Sequence, residues 1–111
     1  TIKMKNLITI ILLMFAFTVN AQDMTLLHIN AKWNDRNDYN LQGLRNVKIN
    51  KAWLEDQTAE FKSQVKAVPT IVLIGKDGKP KGQWTADLSF KLTVPKEEIQ
   101  QRINLLLFEE K

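Results

Sequence analysis

The feature that most constrains the fold is a run of four apolar residues at 71–74 (IVLI). The turn-forming sequences VPT at 68–70 and KDGK at 76–79 lie on either side of it. A short apolar run bounded in this way is typical of a strand that is buried on both faces. The second turn indicates a hairpin, with Gly78 free to take a positive φ.

The rest of the chain alternates between the patterns of strands and helices, which predicts an α/β domain with the order β-α-β-α-β-β-α. Besides 71–74, strands are predicted at 24–31, at 46–50 with Val47 and Ile49 inward, and at 81–85. A first helix is predicted at 35–44, with Asn34 or Asp35 as its cap. A second is predicted around Phe61 and Val65, with Asp56 or Thr58 as its cap. A third is predicted at the C-terminus, with one apolar row formed by Ile99, Ile103, Leu106 and Leu107.

The first 21 residues have the pattern of a secretory signal peptide. Lys3 and Lys5 give a positively charged start, residues 7–19 are apolar, and Val19 and Ala21 supply the small or β-branched residues of a cleavage site. The alternatives are a buried core helix and an uncleaved anchor, although a spanning helix needs about 20 apolar residues. We expect cleavage before Gln22, so that 1–21 is the signal peptide and 22–111 a single exported domain, periplasmic or secreted.

The chain has no cysteine, so no disulfide can stabilise the expected exported domain. A bacterial lipoprotein anchor, which is attached to a cysteine, is excluded for the same reason. Removal of Lys3 and Lys5 with the signal peptide lowers the formal charge from +4 to +2. A nucleic-acid-binding protein needs basic residues clustered on one face, and this mild charge does not indicate one. We therefore expect no nucleic-acid partner and, after cleavage, no membrane contact.

Three motifs in this order resemble those of the thioredoxin family. Residues 27–33 (LHINAKW) are similar to the strand and turn before the family's Cys-x-x-Cys. The sequence VPT at 68–70 is similar to the family's cis-proline loop, and residues 71–83 are similar to the hairpin that follows it. The resemblance covers residues 26–107 and implies a minimal thioredoxin-like fold, because the family's first strand and helix have no counterpart. The sheet edge thus left open is expected at residues 26–30.

The same resemblance places Asn34 and Asn37 at the positions of the family's two redox cysteines. An asparagine amide is neither a nucleophile nor a redox couple, so the chain should not catalyse thiol–disulfide exchange. His28 stands where the family has a buried carboxylate that serves the cysteine. The resemblance therefore implies a protein that is not an enzyme of this class and needs no cofactor.

Candidate partner-binding residues also come from the resemblance. Trp33 and Asn34 would flank the family's client groove, and the backbone at Val68 and Pro69 would pair with an extended peptide. The alternatives are that Trp33 is a core residue and that a cis proline only fixes the turn into the next strand.

We predict no metal site. His28 is the only histidine and has no metal-ligating neighbour in the sequence. The polar residues Asn34, Asp35, Asn37 and Asp38 lack the glycine and the later glutamate of a calcium loop. Their simplest role is to cap the start of a helix.

Three classes of function remain. The favoured hypothesis is a non-catalytic exported module that binds a protein or peptide beside the proline loop. A small structural subunit that adds its open sheet edge to an envelope assembly is the second. A thiol–disulfide oxidoreductase that has lost its activity is the third.

Overall fold

The structure is a computed structural model that describes residues 24–109. The expected signal peptide at 1–21 and its cleavage site lie outside the described residues. The described part consists of strands β1 (Thr25–Asn30), β2 (Lys48–Trp53), β3 (Thr70–Ile74) and β4 (Pro80–Thr85), helices α1 (Ala59–Gln64) and α2 (Lys96–Glu109), and two 3-10 helices, Lys32–Asn37 and Leu54–Asp56.

The four strands form one mixed sheet in the order β2-β1-β3-β4. β1 and β2 are parallel, whereas β1–β3 and β3–β4 are antiparallel. Every residue of the two central strands β1 and β3 is buried. The continuous apolar run at 71–74 therefore lies on a central strand, as the sequence predicts.

The two faces of the sheet carry separate hydrophobic clusters. On one face α1 packs through Phe61 against side chains of β1, β2 and β3. On the other face α2 and the loop after the first 3-10 helix cover the alternate residues of β1 and β3. This second cluster contains Met24, Leu26, Leu41, Ile71, Leu73, Ile99, Ile103 and Leu106.

Several predicted details of these elements are confirmed. Thr58 caps α1, because its hydroxyl accepts a hydrogen bond from the N–H of Phe61 at 3.1 Å. Gly78 has φ +80° in the β3–β4 turn, where a side chain would be strained. Ile99, Ile103 and Leu106 form the buried row of α2, with Leu107 half-buried. No helix within residues 24–109 has the length and apolarity to cross a bilayer.

The predicted helix at 35–44 is wrong. A 3-10 helix covers Lys32–Asn37, its N-cap Ala31 makes no side-chain cap bond, and Asn34 has non-helical angles (φ −109°, ψ 21°). Short polar side chains compete with helical hydrogen bonding, and here the side chains of Asn34 and Asp38 bond to other segments instead. An irregular loop follows, and Leu41 and Leu44 still reach the core from it.

Two predictions about the edge of the sheet are also wrong. A strand forms in the region expected at 46–50, but it spans Lys48–Trp53. Val47 packs against the second cluster as predicted, whereas Ile49 is 41 % exposed at the sheet edge and not inward. Residues 26–30 are not an open edge, since β1 pairs with a strand on each side. Among the described strands, β2 and β4 lie at the two edges of the sheet.

We predict that Phe61→Ala lowers the free energy of unfolding by about 3–5 kcal/mol, because this ring is the buried anchor of a helix of only six residues. Urea unfolding of Phe61→Ala and of the exposed neighbour Lys62→Ala measures the effect. Lys62→Ala should change stability by less than about 0.5 kcal/mol. Equal unfolding midpoints for the two variants would contradict this description of the first cluster.

Candidate partner-binding site

The segment that carries Trp33 and Asn34 is tied to the sheet at its start. It follows directly from the carboxyl end of β1, and the carboxylate of Glu55 accepts the backbone N–H of Lys32 at 2.9 and 3.0 Å. That backbone hydrogen bond holds the pKa of the Glu55 carboxyl below its usual value. The ammonium of Lys32 also lies 3.1 Å from Asp56. The first 3-10 helix is thus fixed against the chain that follows β2.

Asn34 joins four segments of the chain from a buried position. Its Nδ2 donates to Asn30 Oδ1 at 3.1 Å, to the carbonyl of Phe90 at 3.1 Å and, at the longer distance of 3.4 Å, to the carbonyl of Val68. Its Oδ1 accepts from Asn37 Nδ2 at 2.8 Å. Only 3 % of Asn34 is exposed, so its amide holds the site together and does not face solvent.

Val68 and Pro69 are also covered. The peptide bond between them is cis, as the resemblance implies. Val68 is only 3 % exposed and Pro69 is fully buried. The carbonyls of Val68 and Phe90 both accept from Nδ2 of Asn34, and the carbonyl of Pro69 accepts from the N–H of Ala86 at 3.0 Å.

Of the four candidate residues, Trp33 alone faces solvent. Trp33 is 63 % exposed. Its ring meets that of Phe90 edge-on, with centroids 5.0 Å apart and planes at 89°. Phe90 is itself 39 % exposed. We call these two rings the Trp33–Phe90 surface. The alternative that Trp33 is a core residue is therefore wrong.

Phe90 was not predicted from the sequence. It has φ +62° in the loop between β4 and α2, where Ser89 donates twice to the carboxylate of Asp87. Leu88 in the same loop is 90 % exposed. A lone phenylalanine 57 positions from Trp33 gives no signal in the sequence, because only the fold brings the two rings together.

A second polar group lies beneath the first 3-10 helix, around the carboxylate of Asp38. This carboxylate accepts from Asn30 Nδ2 and from the ammonium of Lys51, and its Oδ1 is 3.9 Å from Nε2 of His28. Burial alone would raise the pKa of Asp38, but the hydrogen bonds from Lys51 and Asn30 outweigh it and lower the pKa. The structure thus gives His28 the carboxylate neighbour that the sequence order does not show.

His28 is neutral at pH 7 in this setting. Burial is the main reason that its pKa falls to about 4, and the ammonium of Lys51 acts in the same direction while Asp38 opposes it. Its Nε2 is buried and has no hydrogen-bond partner within the described part of the chain. Residues 24–109 contain no group of three histidine, cysteine or acidic residues that could hold a metal ion.

Comparison with known proteins leaves the chain without an assigned family. No protein-family model matches it, and no curated protein is similar enough to count as a match.

We predict that Asn34→Ala costs about 2–3 kcal/mol of unfolding free energy, because it leaves the carbonyls of Val68 and Phe90 and the side chain of Asn30 without their shared donor. The half-buried Asn37 makes a single bond to this group, from its Nδ2 to Oδ1 of Asn34, so Asn37→Ala should cost no more than about 1 kcal/mol. Urea unfolding compares them. Equal losses would show that Asn34 does not hold the site together.

We also predict that folding stability falls between pH 6.5 and pH 4 because of His28. An unfolded histidine has its ordinary pKa of 6.5, whereas the folded one has a pKa of about 4, so below pH 6.5 the unfolded state binds the extra proton. The loss should amount to about 1–3 kcal/mol. Urea unfolding at pH 7 and pH 4.5 should show a smaller loss for His28→Gln, whose side chain does not titrate. The same loss in both proteins would contradict the assignment.

Proposed function

We propose that this chain is a non-catalytic, thioredoxin-like module that binds a protein or peptide partner through the Trp33–Phe90 surface. The observation that carries the proposal is the large exposed ring of Trp33, held edge-on by a second aromatic ring. Aromatic rings of this kind are frequent hot spots in protein interfaces, because they bury a large area at little cost in conformational entropy.

The buried contacts around Asn34 support this assignment. The two rings belong to different segments of the chain. Asn34, the residue after Trp33, links these segments because its side-chain amide donates to the carbonyl of Phe90. A ring pair held in this way is ordered before a partner arrives. Such preorganisation raises affinity, because less conformational freedom is lost on binding.

A thioredoxin-like fold is supported by three features of the described sheet. The strand before Trp33 is central, the connection from β1 to β2 joins parallel strands, and the buried β3 continues into an antiparallel hairpin. The positions that the resemblance assigns to cysteines hold Asn34 and Asn37, whose side chains bond to each other. Without a thiol there is no atom to carry the covalent intermediate of disulfide exchange.

The partner would bind on the exposed rings of Trp33 and Phe90 and not in a groove beside Val68. Val68 and Pro69 are both buried, so their side chains offer an extended peptide no exposed surface to lie against. An exposed apolar side chain of the partner, seated against the two rings, is the contact we propose. The signal peptide expected at 1–21 would bring the module to this partner in the periplasm or outside the cell.

The test is site-specific photo-crosslinking in cells, with a photoreactive phenylalanine analogue at position 33. A matched position is Phe108, which is 76 % exposed on α2 and thus equally accessible. We expect a discrete crosslinked partner from position 33 that is missing from position 108. Identical products from both positions would contradict the proposal.

We predict that Trp33→Ala weakens the affinity for that partner at least about thirtyfold, as expected when a hot-spot residue worth about 2 kcal/mol is truncated. Phe90→Ala should weaken it in the same direction, because it removes the ring that supports Trp33. Phe108→Ala is the control and should leave the affinity unchanged. Calorimetric titration with the purified partner measures all three, and an unchanged affinity for Trp33→Ala would overturn the proposed site.

A further inference from the structure

The outer side of β2 offers unpaired backbone groups. The N–H of Lys48 donates to Met24 at 2.9 Å, so Lys48 faces β1. Successive residues of a strand turn their backbone groups to opposite sides, which places those of Ile49, Lys51 and Trp53 on the open edge. Within residues 24–109 the N–H groups of these three residues have no hydrogen-bond partner. The carbonyl of Trp53 is occupied, since it accepts from Gln57 Nε2 at 3.0 Å.

The side chains along this edge are basic and partly apolar. Ile49 is 41 % exposed, and the ammonium of Lys51 lies 4.1 Å from the centre of the Trp53 ring. Lys48 makes no ion pair with residues 24–109 and lines the same surface depression as Lys76. Only Lys51 has an acidic partner there, Asp38. The start of the edge is therefore positively charged.

We propose that the open edge of β2 binds an extended acidic peptide segment as a fifth strand of the sheet. The backbone groups of Ile49 and Lys51 would supply the hydrogen bonds of such strand addition. Acidic side chains of the segment would lie near Lys48 and Lys76, and an apolar side chain would pack on Ile49. This surface is separate from the Trp33–Phe90 surface and does not depend on it.

The charge of the edge decides between an acidic segment and a second copy of the chain. Two β2 edges paired with each other would bring Lys48 of both copies, which has no acidic partner within residues 24–109, to one seam, where like charges repel. Lysines on an edge strand are a common protection against such self-association. A segment with carboxylates at these positions turns the same charges into attraction.

The experiment is an NMR titration of the 15N-labelled protein with an acetylated and amidated peptide of about eight residues, Glu alternating with Thr and one central Val. The matched control peptide has Lys in place of each Glu. We expect shift changes centred on residues 48–53 for the acidic peptide alone, weakening as salt is added. In the free protein the amides of Ile49 and Lys51 should exchange rapidly with solvent.

Three variants test the backbone and the charge separately. Ile49→Pro removes an outward N–H without touching the β1 ladder and should weaken binding at least about tenfold. Ile49→Thr keeps that N–H and should retain binding within about threefold. Lys48→Glu should weaken binding of the acidic peptide, whereas Lys62→Glu on α1 should not, and this pair remains informative if Ile49→Pro does not fold.

Four results would overturn the proposal. They are equal binding of the basic peptide, shift changes confined to Trp33 and Phe90, absence of any binding, and slow exchange of the Ile49 amide in the free protein. The last would mean that another segment of the chain or a second copy already covers the edge, and sedimentation would distinguish these two occupants.

Discussion

The burial of both faces of β1 and β3 is the constraint on which the rest of the structure depends. Neither strand has a side chain left for solvent, so each face of the sheet needs its own cover. A short helix with one buried ring provides it on one side, and a longer helix with a row of three buried residues on the other. Because the chain has no cysteine, no disulfide can stabilise the sheet, and its stability rests on these two clusters.

Polar groups are concentrated where β1 ends, and they organise the candidate site. Asn30 is fully buried, yet both ends of its amide are used, since it donates to the carbonyl of Asn34 and to Asp38 and accepts from Asn34. Such groups are costly to bury unless they are paired, and paired they fix one arrangement of the surrounding segments. Asn34 is held inward by these bonds, while its neighbour Trp33 is exposed.

Both proposed surfaces lie where the small described domain has few secondary-structure elements. Within residues 24–109 the outer side of β2 has no neighbouring strand, and the exposed ring of Trp33, in the 3-10 helix that follows β1, meets that of Phe90. The two surfaces differ in chemistry, one aromatic and one basic with free backbone groups. A partner that uses one therefore need not resemble a partner that uses the other.

The sequence by itself determined the elements whose signals are local. The apolar run at 71–74, the Gly78 turn, the Thr58 cap and the row on α2 were all predicted, because periodicity and turn chemistry act over a few residues. Its candidate binding residues Asn34, Val68 and Pro69 prove to be buried, and only Trp33 is exposed. Only the tertiary structure decided which strand is the edge, that Phe90 meets Trp33, and that His28 lies beside Asp38 and Lys51. Each of these depends on residues from different segments of the chain. They become neighbours, and are buried, only when the helices and loops have packed on the two faces of the sheet.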